Sequence, residues 1–194
     1  PGANGNIGAE LVARAAPDGH IFLLMDISNL AITPSLFAKL SFDVLRDFAP
    51  VTTLTYSPHL LAAHPSVPVK TVKELIAFAK ARPGKLNVPV GGGLGGAPHL
   101  ASMLFAQRTG IDWVYIPAAG GGVRPVLTGE GDVLILGMLQ TLPHVQSGRL
   151  KLLAVSSAQR DAALPNTPTI AETPGLEGFV TGSWQGLLAP PNTP

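Results

Sequence analysis

The residues with the most pointed chemistry in this chain are the six of Gly91-Gly92-Gly93-Leu94-Gly95-Gly96. They satisfy the G-x-G-x-x-G spacing between an apolar run ending at Val90 and a helical pattern beginning near Pro98. Glycines let bare amides converge on a ligand, and three uses are open. The first is dinucleotide binding, which needs an acidic side chain about 20 residues on, at the C-terminal end of the next strand, to reach a ribose hydroxyl. The acid at that distance is Asp112, but it precedes the apolar run 113–116, and the far end of that run carries Pro117-Ala118-Ala119. The second use is an anion site, because amides at a helix N-terminus, aided by the helix dipole, favour a carboxylate or phosphate. The third is a plain tight connection.

Other residue types offer less. His20, His59, His64, His99 and His144 show no H-E-x-x-H spacing and no partner acids, so no metal site is expected and each reads as structural. His99, in the first turn after the glycine loop, is placed to cap or pack there, or to approach an anion. There is no G-x-S-x-G, no Walker loop and no carboxylate pair at useful spacing, and the absence of cysteine excludes thiolate ligands, thiol nucleophiles and disulfides. No catalytic residue is nominated. Gly2, Gly5 and Gly8 recur at spacing three, which fits close helix packing better than an anion loop. Trp184 beside Ser183 reads as core rather than as a ligand wall.

These residues need a scaffold, and the composition supplies one. Of 194 residues 46% are hydrophobic and 13% charged, which supports a sizeable core and excludes intrinsic disorder. Thirteen Lys and Arg against twelve Asp and Glu leave a net charge of +1, no electrostatic ground for a nucleic-acid partner. The longest charge-free stretch, 48–69, holds four prolines and two histidines, so no transmembrane helix is expected. The chain opens on Pro1, and any signal segment is expected to have been removed or to lie outside it.

Along the chain, Asn4 or Asn6 would cap a helix bearing Ile7, Leu11, Val12 and Ala15, with Glu10 and Arg14 as an i,i+4 pair. The run 20–25 reads as a buried strand emptying into the polar loop Asp26–Asn29, and 52–63 as one or two strands interrupted at Pro58. The clearest helix is 71–81, with a Thr71/Glu74 capping box, a Val72, Leu75, Ile76, Ala79 face and a Pro83-Gly84 stop. A strand (86–90), the glycine loop, a helix (98–108) and a strand (113–116) follow in the βαβ rhythm of a parallel sheet. The rhythm continues through a loop and helix opened at 120–122, a strand at 133–136, a short helix at 142–147 and a strand at 150–156. A second capping box joins Thr169 and Glu172, and 183–189 is a last strand.

Several segments together carry a resemblance: residues 1–10 (PGANGNIGAE), 16–19 (APDG), 48–51 (FAPV), 70–75 (KTVKEL), 82–86 (RPGKL), Leu142-Pro143-His144 with Ser147-Gly148, Leu164-Pro165, and Ser183-Trp184 with 187–190 (LLAP). In this order, over the whole chain, they resemble the Bug-type substrate-binding receptors of tripartite tricarboxylate transporters. The resemblance implies an α/β periplasmic-binding-protein fold of the second class, with two lobes of mostly parallel sheets closing over a small organic carboxylate. It implies a periplasmic receptor that is not an enzyme, needs no cofactor and hands its ligand to membrane transporter subunits. The first lobe would be 1–61 with 183–194, and the second 62–182. Against the family's usual extent the chain is expected to lack the first strand and a C-terminal helical segment.

Carried over by position, the ligand-facing places are Asp26, Ser28 and Asn29; Gly93, Leu94, Gly95 and Gly96; Ala118 and Ala119; and Leu136 with Gly137. Gly96 stands where relatives often have a hydroxyl residue, Ala118-Ala119 where many have Tyr-Lys, and Leu136 where many have Asp. These departures imply a roomier, more apolar pocket. The alternative is a nucleotide-dependent oxidoreductase built on the 91–96 loop.

Overall fold

In the computed structural model of the chain, residues 5–36, 39–91, 94–118 and 121–194 are described, Asn29 by its backbone alone. The chain divides into two compact units, 1–56 with 183–194, and 57–182.

The first unit begins with helix α1 (Asn6–Ala13). Its N-cap is Gly5, at φ +87°, where a glycine is needed. Asn6 is thus the first helical residue rather than the cap, and Asn4 lies outside the described residues. The Glu10–Arg14 pair forms at 2.7 Å. The helix buries Ala9 and Val12, while Ile7 and Leu11 are exposed. Ala9 and Val12 thus mark the inward face, and Ile7 and Leu11 lie off it.

Strand β1 (Leu23–Asp26) is shorter than the apolar run that announced it, and it is buried on one face only: Leu23 and Met25 are inside and Leu24 outside. Period-two alternation of this kind belongs to an antiparallel strand with one covered face. β1 runs antiparallel to β7 (Gly182–Ala189), with Leu23 opposite Leu188 and Asp26 opposite Gln185. β7 in turn neighbours β2 (Ala49–Ala63). A π-type turn, Ser28–Ile32, leads into the short helix α2 (Thr33–Leu36). Phe42 and Phe48 meet edge to face at 5.6 Å in a core with Leu23, Met25 and Leu188. Trp184 on β7 is half-buried and lies over Gly186.

β2 is one strand of fifteen residues; Pro58 does not interrupt it. The ladder to β5 starts one residue later, at His59, so on that side the missing donor of Pro58 costs no rung.

The second unit contains α3 (Val72–Lys80), β3 (Asn87–Gly91), α4 (Ala97–Thr109), β4 (Val114–Ala118), α5 (Val123–Thr128), β5 (Val133–Gly137), α6 (Met138–Gln146) and β6 (Lys151–Val155), then a 3-10 turn at Ile170–Glu172. β3 and β4 pair in parallel, Asn87 with Val114 and Gly91 with Ala118. β2 runs antiparallel to both β5 and β6, with a register shift against β6 between Leu61 and Ala62. The parallel rhythm therefore belongs to the strands joined by crossover helices. β2 enters from the other unit without such a helix and is free of that constraint. The main core joins Leu61, Leu75, Phe105, Trp113, Ile135 and Phe179 with smaller aliphatics. Phe105 stacks on Trp113 at 5.5 Å and meets Phe179 edge to face at 6.0 Å.

Candidate functional site

In the second unit β3, β4 and β5 are followed in the chain by the openings of α4, α5 and α6. Gly91 ends β3 opposite Ala118 at the end of β4. The start of α5 presses against them: a β-carbon on Gly91 would lie 2.6 Å from the Gly122 amide nitrogen, and one on Gly122 would lie 2.9 Å from the Gly91 nitrogen. No real β-carbon tolerates such distances, so both positions need glycine to bring the two backbones together. Leu136, near the end of β5, completes the contact from below, its Cδ1 being 3.2 Å from that same hypothetical carbon. It is only 3% exposed and packs with Ala62, Val126, Leu134 and Leu150.

The helix openings at this edge share a property. The N-caps of α4, α5 and α6 are Gly96, Gly122 and Gly137, so in none of them does an N-cap side chain accept from a helix amide. α3 and the 3-10 turn contrast with them. Thr71 Oγ1 accepts from the Glu74 amide at 3.1 Å, and Thr169 and Glu172 form a reciprocal capping box. Thus the helices that open beside the strand ends lack the side-chain acceptor that closes the other two. Ligands of α/β proteins characteristically sit outside the carboxyl ends of strands, where helix amides point outward.

The glycine loop joins β3 to α4 as its pattern implies. Gly92 and Gly93 lie outside the described residues, as do Ala119 and Gly120. Leu94 is exposed. Gly95, at φ +90°, donates its amide to His99 Nδ1 at 2.9 Å. His99 therefore fastens the loop back onto the first turn of α4, with its proton on Nε2. Its ring meets Tyr115 edge to face at 4.9 Å, and partial burial lowers its proton affinity below the usual imidazole value. No pattern in the sequence singled out this bond; the i,i+4 spacing of Gly95 and His99 was its only trace. Gly91 and Gly122 were likewise visible only as members of glycine runs.

Asp112 stands at the other end of the sheet. Its carbonyl accepts from the Gly84 amide at 3.1 Å, ahead of both β3 and β4. Gly84 and Gly91 are separated by seven residues of mostly extended chain, roughly 23 Å at the usual rise per residue. That is too far for one ribose to bridge, and the dinucleotide reading is set aside.

In the first unit, Asp26 ends β1 and its Oδ1 accepts from the Ser28 amide at 2.7 Å. The carboxylate is thus engaged in shaping the turn into Ser28–Ile32; Asn29 is part of that turn. Among the described residues no group of His, Asp or Glu side chains is arranged to hold a metal ion, and no helix is long and apolar enough to cross a membrane.

A family model for the tripartite tricarboxylate transporter family receptor matches residues 1–194. The chain belongs to this family. Among curated relatives, protein BugT of Bordetella pertussis is 36% identical over 195 residues, covering 99% of this chain and 59% of its own length. Solved structures similar to the chain include Rpa4515 of Rhodopseudomonas palustris with adipate, at 33% identity and a TM-score of 0.92, and MatC of Rhodopseudomonas palustris with bound malate, at 32% and 0.85. The periplasmic binding protein BugD is similar at 31% and 0.86. These three matches cover all of this chain and 64%, 66% and 64% of the respective structures. The chain spans less than two thirds of each relative's length. The fold is accordingly that of the α/β periplasmic binding proteins, and the 91–96 loop belongs to a solute-binding family.

Proposed function

We propose that the protein is a periplasmic receptor, without enzymatic activity, that captures a small organic carboxylate and passes it to membrane subunits of a tripartite tricarboxylate-type transporter. The observation that carries this reading is the cluster of helix openings at the ends of β3, β4 and β5, none closed by an N-cap side chain. Backbone N–H groups so placed suit a carboxylate. Relatives of the same fold hold adipate and malate.

In this reading the two units are the receptor's lobes. Gly93, Leu94, Gly96, Ala118, Ala119 and Gly137 belong to the second lobe's share of the site, and Ser28 and Asn29 to the first lobe's. Four further residues have supporting parts: Gly95 and His99 hold the loop, Asp26 holds the turn at Ser28, and Leu136 is the apolar floor under Gly91. With alanine at 118 and 119 and leucine at 136, this part of the chain offers no polar side chain to a central hydroxyl or third carboxylate. The ligand is therefore a carboxylate with an apolar body, closer to adipate than to citrate.

The test is a thermal-shift series on the full-length receptor with adipate, malate, citrate, an aromatic monocarboxylate and NAD. A ligand that binds only the folded state raises the melting temperature, by the equivalent of about 2.7 kcal/mol at a hundredfold excess over its dissociation constant. Adipate or the aromatic acid should raise it and NAD should not. A shift with NAD and none with any carboxylate would overturn the reading; a larger shift with citrate would overturn only the apolar-body preference.

A further inference from the structure

The near-neutral charge of the chain conceals an uneven division. The first unit carries three cations and five acids, a net of −2, and the second ten cations and seven acids, a net of +3. Five of those ten cations fall within residues 70–85: Lys70, Lys73, Lys80, Arg82 and Lys85, which include four of the chain's six lysines. The one acid in that segment is Glu74.

The fold displays this segment on one surface. α3 turns Val72, Leu75 and Ala79 inward, and all five cations are exposed. Lys73 and Lys80, seven residues apart, share a side of the helix about 10 Å apart along its axis. Arg82, just beyond the helix, lays its guanidinium over the Phe78 ring at 4.0 Å. Among the described residues none of the five takes part in an ion pair. Glu74 spends its carboxylate on the Lys70 amide at 2.7 Å, the Asp112 Oδ2 lies against Gly84, and Asp132 accepts from the Asn87 amide at 2.7 Å just beyond the segment. The segment itself keeps a net charge of +4, and counting Asp112 and Asp132 with it leaves +2.

A face that serves solubility alone mixes its signs, as the Glu10–Arg14 pair does on α1. Here cations outnumber the acid five to one over sixteen residues, and none of the five forms an ion pair among the described residues. This face has no exposed large apolar side chain, so it neither inserts into a bilayer nor suits an apolar partner. Its one aromatic of note, Phe78, is covered by Arg82 and offers no stacking platform for bases. Four of the five cations are lysines, point charges on flexible stems. They respond to the field of a diffuse negative surface, whereas an acidic protein patch rewards the fixed fork that only Arg82 presents.

We propose that this α3 face is an electrostatic docking surface for an anionic phospholipid leaflet, holding the protein at the membrane reversibly and independently of its ligand. Each lysine near such a leaflet contributes about fivefold to binding, and the field decays within a Debye length, about 10 Å in ordinary salt.

The experiment is co-sedimentation of the full-length receptor with vesicles of phosphatidylcholine containing about one third phosphatidylglycerol, and with vesicles of phosphatidylcholine alone. Binding is expected to the first and not the second, and to weaken as salt is raised. The variant Lys70→Gln/Lys73→Gln/Lys80→Gln/Lys85→Gln should bind at least about tenfold more weakly. A charge-matched control, Lys39→Gln/Arg46→Gln/Arg124→Gln/Arg149→Gln, should stay within about twofold of the parent. Circular dichroism checks that both variants are folded; if the first is not, Lys73→Glu/Lys80→Glu replaces it. Equal binding to both vesicle types, or an equal loss in the control, would overturn the proposal. Failure on vesicles combined with patch-dependent binding to a soluble polyglutamate would overturn it in favour of an acidic protein partner.

Discussion

Acid should weaken the second unit through His59, and the size of the effect follows from where the imidazole sits. His59 is 1% exposed on β2, its Nδ1 is 3.1 Å from Thr181 Oγ1, and its amide donates to Ser156 Oγ at 2.8 Å. Burial holds its pKa at about 4, against 6.5 for a free imidazole. Between those values the unfolded chain takes up a proton that the folded chain refuses, so stability is intact above 6.5 and is lost progressively as pH falls towards 4. The whole interval corresponds to about 3 kcal/mol, of which about 2 kcal/mol is lost between pH 7 and pH 5. The assay is urea unfolding of the protein and of His59→Gln at those two pH values. Glutamine stays uncharged, so the variant lacks this proton uptake, while His99 and the carboxylates titrate alike in both proteins and cancel. The stability gap between the two should narrow by about 2 kcal/mol on going to pH 5. A gap that stays constant across the two pH values would refute the reasoning.

Gly91→Ala places a β-carbon against the Gly122 backbone, which has no side-chain freedom to yield, and should cost at least about 1–3 kcal/mol in urea unfolding; Gly148→Ala, at φ +70° with open space around it, should cost less. Thr71→Ala removes the α3 cap and should cost about 1 kcal/mol, with Thr71→Asn close to neutral in the same measurement.

How far the sequence reaches differs from element to element for physical reasons. α3 was fully legible because its signals are local: a capping threonine, an apolar stripe at helical spacing and a Pro-Gly stop. The sequence pattern starts α6 at Leu142, four residues after its first residue, Met138. Pro143 resembles a first-turn proline, but the helix accepts it in its interior and opens at Gly137. The unbroken β2 was hidden because a proline's cost depends on whether its position must donate to a neighbour, which only the register reveals. At the candidate site, the strand–loop–helix context of the glycine loop and the remote position of Asp112 followed from chain order alone. The close approach of Gly91 and Gly122 did not, because it joins residues thirty-one apart in the chain. Nor did the burial of Leu136: β5 is apolar at every position from Val133 to Leu136, so no alternation distinguishes one face from the other.

The chain has two tryptophans, and they fall one to each unit: Trp113 stacked on Phe105 in the interior of the second, Trp184 half-buried on β7 of the first. Their surroundings differ enough to separate their emission, the indole in the aromatic stack fluorescing at shorter wavelength than the one in partial contact with water. Trp184→Phe leaves a single tryptophan, whose selectively excited emission follows the second unit through denaturation. Near-ultraviolet dichroism of the same variant isolates the rigidity of the Phe105–Trp113 pair. Each unit thereby carries its own optical gauge, and curves recorded at two wavelengths separate wherever the units melt independently.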